Sequence, residues 1–154
     1  MNENNELIKI VSMKDKLSTY IDYIEIRVDR ASVLGNPFEL TTEADRYKVC
    51  EAYKEWLFFQ INNPNNHTLS LQPWIDKGFK IATKFKAPTS KEVKNEICRL
   101  LTLLKQGKKL VLLCWCKQKD KEVRCHADSI KELLLKLCKS LYKQGYLEYA
   151  WTQN

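Results

Sequence analysis

Apolar positions along this chain fall into short β-like runs and longer helical stripes. Between Tyr20 and Val28, Tyr23, Ile24, Ile26 and Val28 supply β propensity while Glu25 and Arg27 alternate outward, which predicts a strand. Leu110 to Trp115 is continuously apolar, as expected of a strand buried on both faces. Leu7 to Val11 is β-branched enough to predict an edge strand. Thr41 or Thr42 opens a helical segment running to about Ile61, with Glu43 and Asp45 in its first turn. Its Val49, Cys50, Tyr53, Trp56, Leu57 and Ile61 recur at spacings of three and four, a face to pack against the sheet.

Ser90 is expected to cap a second helix carrying Val93, Ile97, Leu100, Leu101 and Leu104, ended by Gly107. A last helix is predicted from Asp128 or Ser129, with Ser129 and Glu132 as a capping box. Its apolar face runs from Ile130 to Leu141, Gly145 stops it, and Tyr146 to Trp151 reads as a final strand. Ala31 to Thr42 and the charged Lys117 to Arg124 are loops. Residues 62–89 carry Trp74, Phe79, Ile81 and Phe85 without a clear period, and read as an irregular insertion with a short helix.

The order strand, helix, helix, strand, helix predicts a single α/β domain over residues 1–154. Its sheet is small, mostly parallel and flanked by helices, with a right-handed, Rossmann-like crossover. Ligands of such sheets bind at the carboxyl edge of the strands. Two motifs follow the two strongest strands and would meet at that edge.

The first motif runs from Arg27 to Phe38 and contains Leu34-Gly35-Asn36-Pro37-Phe38. Glycine allows an unusual φ or a close approach, proline stiffens the turn, and asparagine both donates and accepts. Arg27, Arg30 and Arg46 suit a phosphate or carboxylate, although Asp29, Glu43 and Asp45 compete as structural partners. The second motif is Cys114-Trp115-Cys116 with Cys125-His126-Ala127-Asp128. It admits a zinc site, a Cys–His nucleophile with Asp128 as orienting group, or a binding pocket. In the pocket reading Trp115 stacks, His126 hydrogen-bonds and a helix N-terminus receives an anion. The Cys-x-Cys and Cys-His spacing is unusual for zinc, so no metal is expected. His67, in an Asn-rich loop, reads as solvated.

Hydrophobic content of 44% and charged content of 29% describe an ordinary globular chain with no run long enough to span a membrane. The start is polar rather than secretory, so a cytoplasmic location is expected, and the six cysteines are expected to be reduced. Cys50, Cys98 and Cys138 lie in helical patterns and read as small buried hydrophobes. The net charge of +7 comes from scattered lysines rather than a stripe, and there is no nucleic-acid-binding motif. That charge favours a small anion over a polynucleotide, and leaves room for a homo-oligomer.

Taken together, these residues resemble the domain-of-unknown-function 4326 family, found in phages and bacteria. The matching elements are Val28-Asp29-Arg30 with Ser32 to Phe38, then Glu43, Arg46, Val49-Cys50, Tyr53 and Trp56, and finally Leu113 to Cys116 with Cys125 to Asp128 and Ile130. The charged stretch Lys117 to Arg124 is longer than the short proline-containing link of relatives. The resemblance implies an α/β domain with a site built from both motifs, and no established activity. The Asn- and Lys-rich composition fits a phage gene, whose product would work in the host cytoplasm. By analogy with phage proteins that sequester nucleotide-derived immune signals, the expected activity is binding of a small anionic, nucleotide-like ligand without a cofactor. Its expected site residues are Arg27, Asp29, Arg30, Leu34, Gly35, Asn36, Pro37, Phe38, Arg46, Trp115, Cys116, Cys125, His126 and Asp128. The alternatives are an enzyme acting on a nucleoside or nucleotide bond, with His126 or Asp128 as acid/base, and a zinc-stabilised interaction module.

Overall fold

The computed structural model describes residues 6–15, 22–115 and 123–143. Three strands form one parallel sheet: β1 (Ile8–Ser12), β2 (Tyr23–Arg27) and β3 (Lys109–Cys114), in the order β1-β3-β2. β3 is central. All residues from Leu110 to Cys114 are buried, and because successive side chains point to opposite faces, both faces of β3 are covered. Among the described residues β1 is an edge strand, and Ile8 pairs with Leu110 while Tyr23 pairs with Lys109. The two edge strands therefore start level with β3, and all three carboxyl ends lie at one side.

Four helices complete the α/β fold: α1 (Arg46–Asn62), α2 (Gln72–Asp76), α3 (Ser90–Lys105) and α4 (His126–Lys143). α1, α2 and α3 make up the crossover from β2 to β3, and α3 and α4 both touch β3. The buried residues of α1 include the expected Val49, Cys50, Tyr53, Trp56 and Leu57, with Ile61 half-buried. They face α3 and α4 more than the sheet, because Ala52 and Gln60 widen the buried face beyond one stripe. Gln60 is buried polar and is satisfied by the Ser90 hydroxyl, which donates to its Oε1 at 2.6 Å. None of the helices among the described residues is long and apolar enough to cross a membrane.

Several boundaries differ from the sequence reading. A 3₁₀ turn, Glu43–Asp45, precedes α1, and Thr42 donates to Asp45 Oδ2 at 2.9 Å. Thr89, not Ser90, caps α3: its hydroxyl accepts the Glu92 N–H and the Glu92 carboxylate accepts the Thr89 N–H, a complete capping box. Gly107 follows α3 with φ +83°, the left-handed conformation expected there. α4 begins two residues before Asp128. Ser129 is not its cap; the Ser129 Oγ is buried without a hydrogen-bond partner among the described residues. Cys98 is exposed, one position off the buried Val93-Ile97-Leu100-Leu104 face. Cys116, most of the charged Lys117 to Arg124 loop, Gly145 and the expected strand Tyr146 to Trp151 lie outside the described residues.

The insertion at 62–89 does contain a short helix, α2, and it is tied to the first motif. Phe38 bridges Ile81 in antiparallel fashion, Glu39 N–H donates to the Lys80 carbonyl at 2.8 Å, and Ala82 N–H to the Pro37 carbonyl at 2.9 Å. The Phe38 ring packs against Trp74 and Phe79 at centroid distances of 5.8 and 5.5 Å.

Candidate functional site

β2 leads through Val28, whose N–H extends the ladder to the Leu113 carbonyl, into a tight loop. Ser32 folds that loop: its N–H and hydroxyl both donate to the Asp29 carbonyl, and its carbonyl accepts the Gly35 N–H. A Cβ on Gly35 would lie 2.6 Å from Arg30 Cα and 2.7 Å from the Asp29 carbonyl oxygen. Glycine is required because the loop's own backbone presses on it, not because a ligand does. Asn36 Oδ1 accepts the Phe38 N–H at 2.9 Å, and the buried Tyr53 hydroxyl donates to the Leu34 carbonyl at 2.6 Å. Burial pushes the Tyr53 phenol well above its usual range, so it stays a neutral donor.

Arg30 closes the loop. Its Nε donates to the Asn36 carbonyl at 2.9 Å and one terminal nitrogen donates to the Phe38 carbonyl at 2.8 Å. Two of five guanidinium N–H donors are used, so three remain, and no carboxylate pairs with Arg30 among the described residues. Arg27 is different: it turns away and pairs with Asp29. The Asp29 carboxylate also accepts the Trp115 indole N–H at 3.0 Å. Burial would raise the Asp29 pKa, but these donors outweigh it and hold the group below its usual range. Arg46 is bidentate to Glu43 at 2.7 Å and donates to the Arg124 carbonyl, strapping α1 to the segment before α4. The competing structural partners foreseen for these arginines are thus present for Arg27 and Arg46, and not for Arg30.

The second motif arrives from β3 and α4. Cys125 sits just before α4, where its Sγ accepts the Ala127 N–H at 3.4 Å, while Asp128 Oδ2 accepts the Cys125 N–H at 2.8 Å. Cys125 therefore caps α4 with a thiol in place of a hydroxyl, and its N–H ties Asp128 to the helix end. His126 is buried, edge-on to Tyr53, with Nε2 at 2.5 Å from the Val28 carbonyl. Burial lowers its pKa below 6.5, against the opposing pull of that carbonyl, so the ring is neutral at pH 7.

The two motifs converge on one cleft of about 730 Å³. Asp29, Arg30, Asn36 and Phe38 line one wall and Trp115, Cys125 and His126 another, with Arg46 at the head of α1. Of the other expected residues, Leu34 is wholly buried, Arg27 points to solvent, and Gly35, Pro37 and Asp128 shape the walls without lining them. Val49 and Cys50 of α1 line the cleft, and so do Ala82, Thr83 and Lys84 from the insertion. The expected site included none of these five, nor Ala31, Glu39 and Leu40, which also line the cleft; for the insertion, the aromatic density of Trp74 and Phe79 was the signal that the segment docks onto Phe38. Lys84 is exposed and has no partner among the described residues, and Trp115 is 52% exposed. The cleft has the volume of small-molecule sites, about 300–1,000 Å³.

A family model described as "Domain of unknown function (DUF4326)" matches residues 11–136. No curated protein and no solved structure matches the chain.

Proposed function

The chain belongs to the DUF4326 family, and on that premise we propose that its cleft binds a small anionic, nucleotide-like ligand. The observation that carries this reading is the setting of Arg30. Its guanidinium is held by two carbonyls, carries no neutralising carboxylate among the described residues, and keeps three donors at the cleft wall. A cation fixed in this way has already lost its rotamer freedom, so a phosphate gains a charge-assisted, planar contact at low entropic cost. Lys84 adds a second positive charge across the cleft, and the exposed face of Trp115, oriented by Asp29, offers a stacking surface for a base. Binding of the nucleotide without turnover is preferred because Asp128 Oδ2 is turned onto the Cys125 N–H, His126 Nε2 onto the Val28 carbonyl and His126 Nδ1 onto the Cys125 thiol, so these atoms face the protein rather than a nucleotide bond.

Calorimetric titration with mononucleotides, dinucleotides and ADP-ribose derivatives tests the proposal. Each charge-assisted contact contributes roughly 1.5–3 kcal/mol, so Arg30→Ala should weaken binding by about one to two orders of magnitude. Lys84→Ala should weaken it while leaving the melting temperature unchanged, and Trp115→Phe, which keeps a stacking ring but loses the indole N–H to Asp29, should weaken it less than Trp115→Ala does. The absence of heat from every phosphorylated ligand at millimolar concentration removes the proposal; product formation on mixing converts it to the enzymatic alternative.

A further inference from the structure

β3 ends on Cys114 and α4 follows Cys125, and the two side chains lie Sγ to Sγ at 3.2 Å, closer than ordinary van der Waals contact of sulfur. Two thiolates sharing a tetrahedral zinc through bonds of about 2.3 Å would stand about 3.8 Å apart. At 3.2 Å the two sulfurs are closer than that and need only a small side-chain movement to bond directly. Cys125 Sγ is also 3.6 Å from His126 Nδ1. A carbonyl only accepts, so the His126 proton sits on Nε2 facing Val28, and Nδ1 faces the thiol as an acceptor. The Ala127 amide at the start of α4 supports negative charge on the same sulfur. Cys125 lines the cleft; Cys114 does not and is fully buried behind it.

We propose that Cys114 and Cys125 are a redox pair, oxidised to a disulfide by a small hydroperoxide that enters the cleft. Cys125 passes its proton to His126 Nδ1, and its sulfur attacks the outer peroxide oxygen. The S–O bond forms, the O–O bond breaks, and the alkoxide or hydroxide leaves with the proton returned by His126 as an alcohol or water. Cys114 then attacks the sulfenic sulfur: the S–S bond forms, the S–O bond breaks, and water leaves carrying the Cys114 proton. Two thiols are oxidised by two electrons and one peroxide is reduced. The sulfurs are already in contact, so no rearrangement of β3 or α4 is needed, and the modified atom is in the cleft wall where a ligand would meet it. The inference stands on the thiol geometry and holds whether or not the cleft takes a nucleotide.

The test uses the reduced full-length protein, treated with equimolar hydrogen peroxide, quenched with an alkylating agent and mapped without reduction. The expected product has lost two hydrogens, carries a Cys114–Cys125 cross-linked peptide, and reverts with a dithiol reductant. The exposed Cys98 is an internal reference: Cys125 should oxidise at least about tenfold faster than Cys98 despite its burial. In Cys114→Ser the sulfenic acid on Cys125 should persist long enough to be trapped by a 1,3-dione. A cross-link from Cys125 to Cys116 instead, oxidation of Cys125 no faster than Cys98, or one zinc per chain protecting both thiols, each overturns the proposal.

Discussion

Replacing Gly35 by alanine is the sharpest test of how the first motif is built. The new methyl would lie 2.6 Å from Arg30 Cα and 2.7 Å from the Asp29 carbonyl oxygen, against about 3.5 Å for a relaxed carbon contact. Both obstacles are backbone, so neither can swing aside as a side chain would. Relief requires the Asp29–Arg30 peptide to move by almost 1 Å, and that peptide is pinned by Ser32 and by the two carbonyls that hold Arg30. Overpacking costs about 1–3 kcal/mol, and an unyielding backbone places this case at the upper end, about 3 kcal/mol. At about 2–4 °C per kcal/mol for a domain of this size, the melting temperature should fall by about 6–12 °C. Far-UV circular dichroism melts of the variant and parent measure the fall directly. Gly107→Ala is the control: its site has open space but φ +83°, so it pays only the left-handed conformational cost, about 1–2 kcal/mol. A Gly35→Ala protein melting within about 2 °C of the parent would refute the packing argument.

Tyr53→Phe leaves the Leu34 carbonyl without its donor inside the core and should cost about 1–3 kcal/mol, read as a lower urea midpoint at unchanged slope; an unchanged midpoint contradicts the buried-bond assignment. The His126 pKa is depressed when folded, so between that value and 6.5 the unfolded chain holds the extra proton and stability rises with pH. Its contribution is whole above 6.5 and drains as pH falls toward the depressed value, so urea midpoints should drop on acidification from about pH 7 to 5, and His126→Gln should flatten that slope. A slope that survives in His126→Gln assigns the titration elsewhere.

Much of the architecture was legible because burial writes periodicity directly. The unbroken apolar run of β3 announced a strand covered on both faces, the alternation from Tyr23 to Val28 announced a second strand, and the β-branched Leu7 to Val11 announced an edge. Convergence of the two motifs followed from parallel strands sharing a carboxyl end. The caps were harder. Thr89 and Ser90 are both hydroxyls, and only the spacing to Glu92 decides between them. At α4 the capping side chain is a thiol, so a search for a hydroxyl settled on Ser129. The arginines could not be sorted from sequence, because whether a guanidinium meets Asp29, Glu43 or a carbonyl depends on the loop's path. Residues 69–88 gave no period because Trp74 sits on a helix of only five residues, and Phe79 and Ile81 follow it outside any helix or named strand.

The sheet also sets a schedule for synthesis. β1 and β2 never pair with each other; each waits for β3, and Ile8 finds its partner in Leu110. While the ribosome makes the intervening segment, both edge strands present unpaired backbone and apolar faces with no native sheet to join. α1 and α3 can form locally in that interval, but the sheet closes only after Cys114 has left the exit tunnel. Long-range parallel pairing is slow and exposes the chain to misassociation. A nascent chain stalled anywhere before Lys109 therefore holds helices without a sheet, and its fate rests on how quickly the missing strand, or a chaperone in its place, covers those edges.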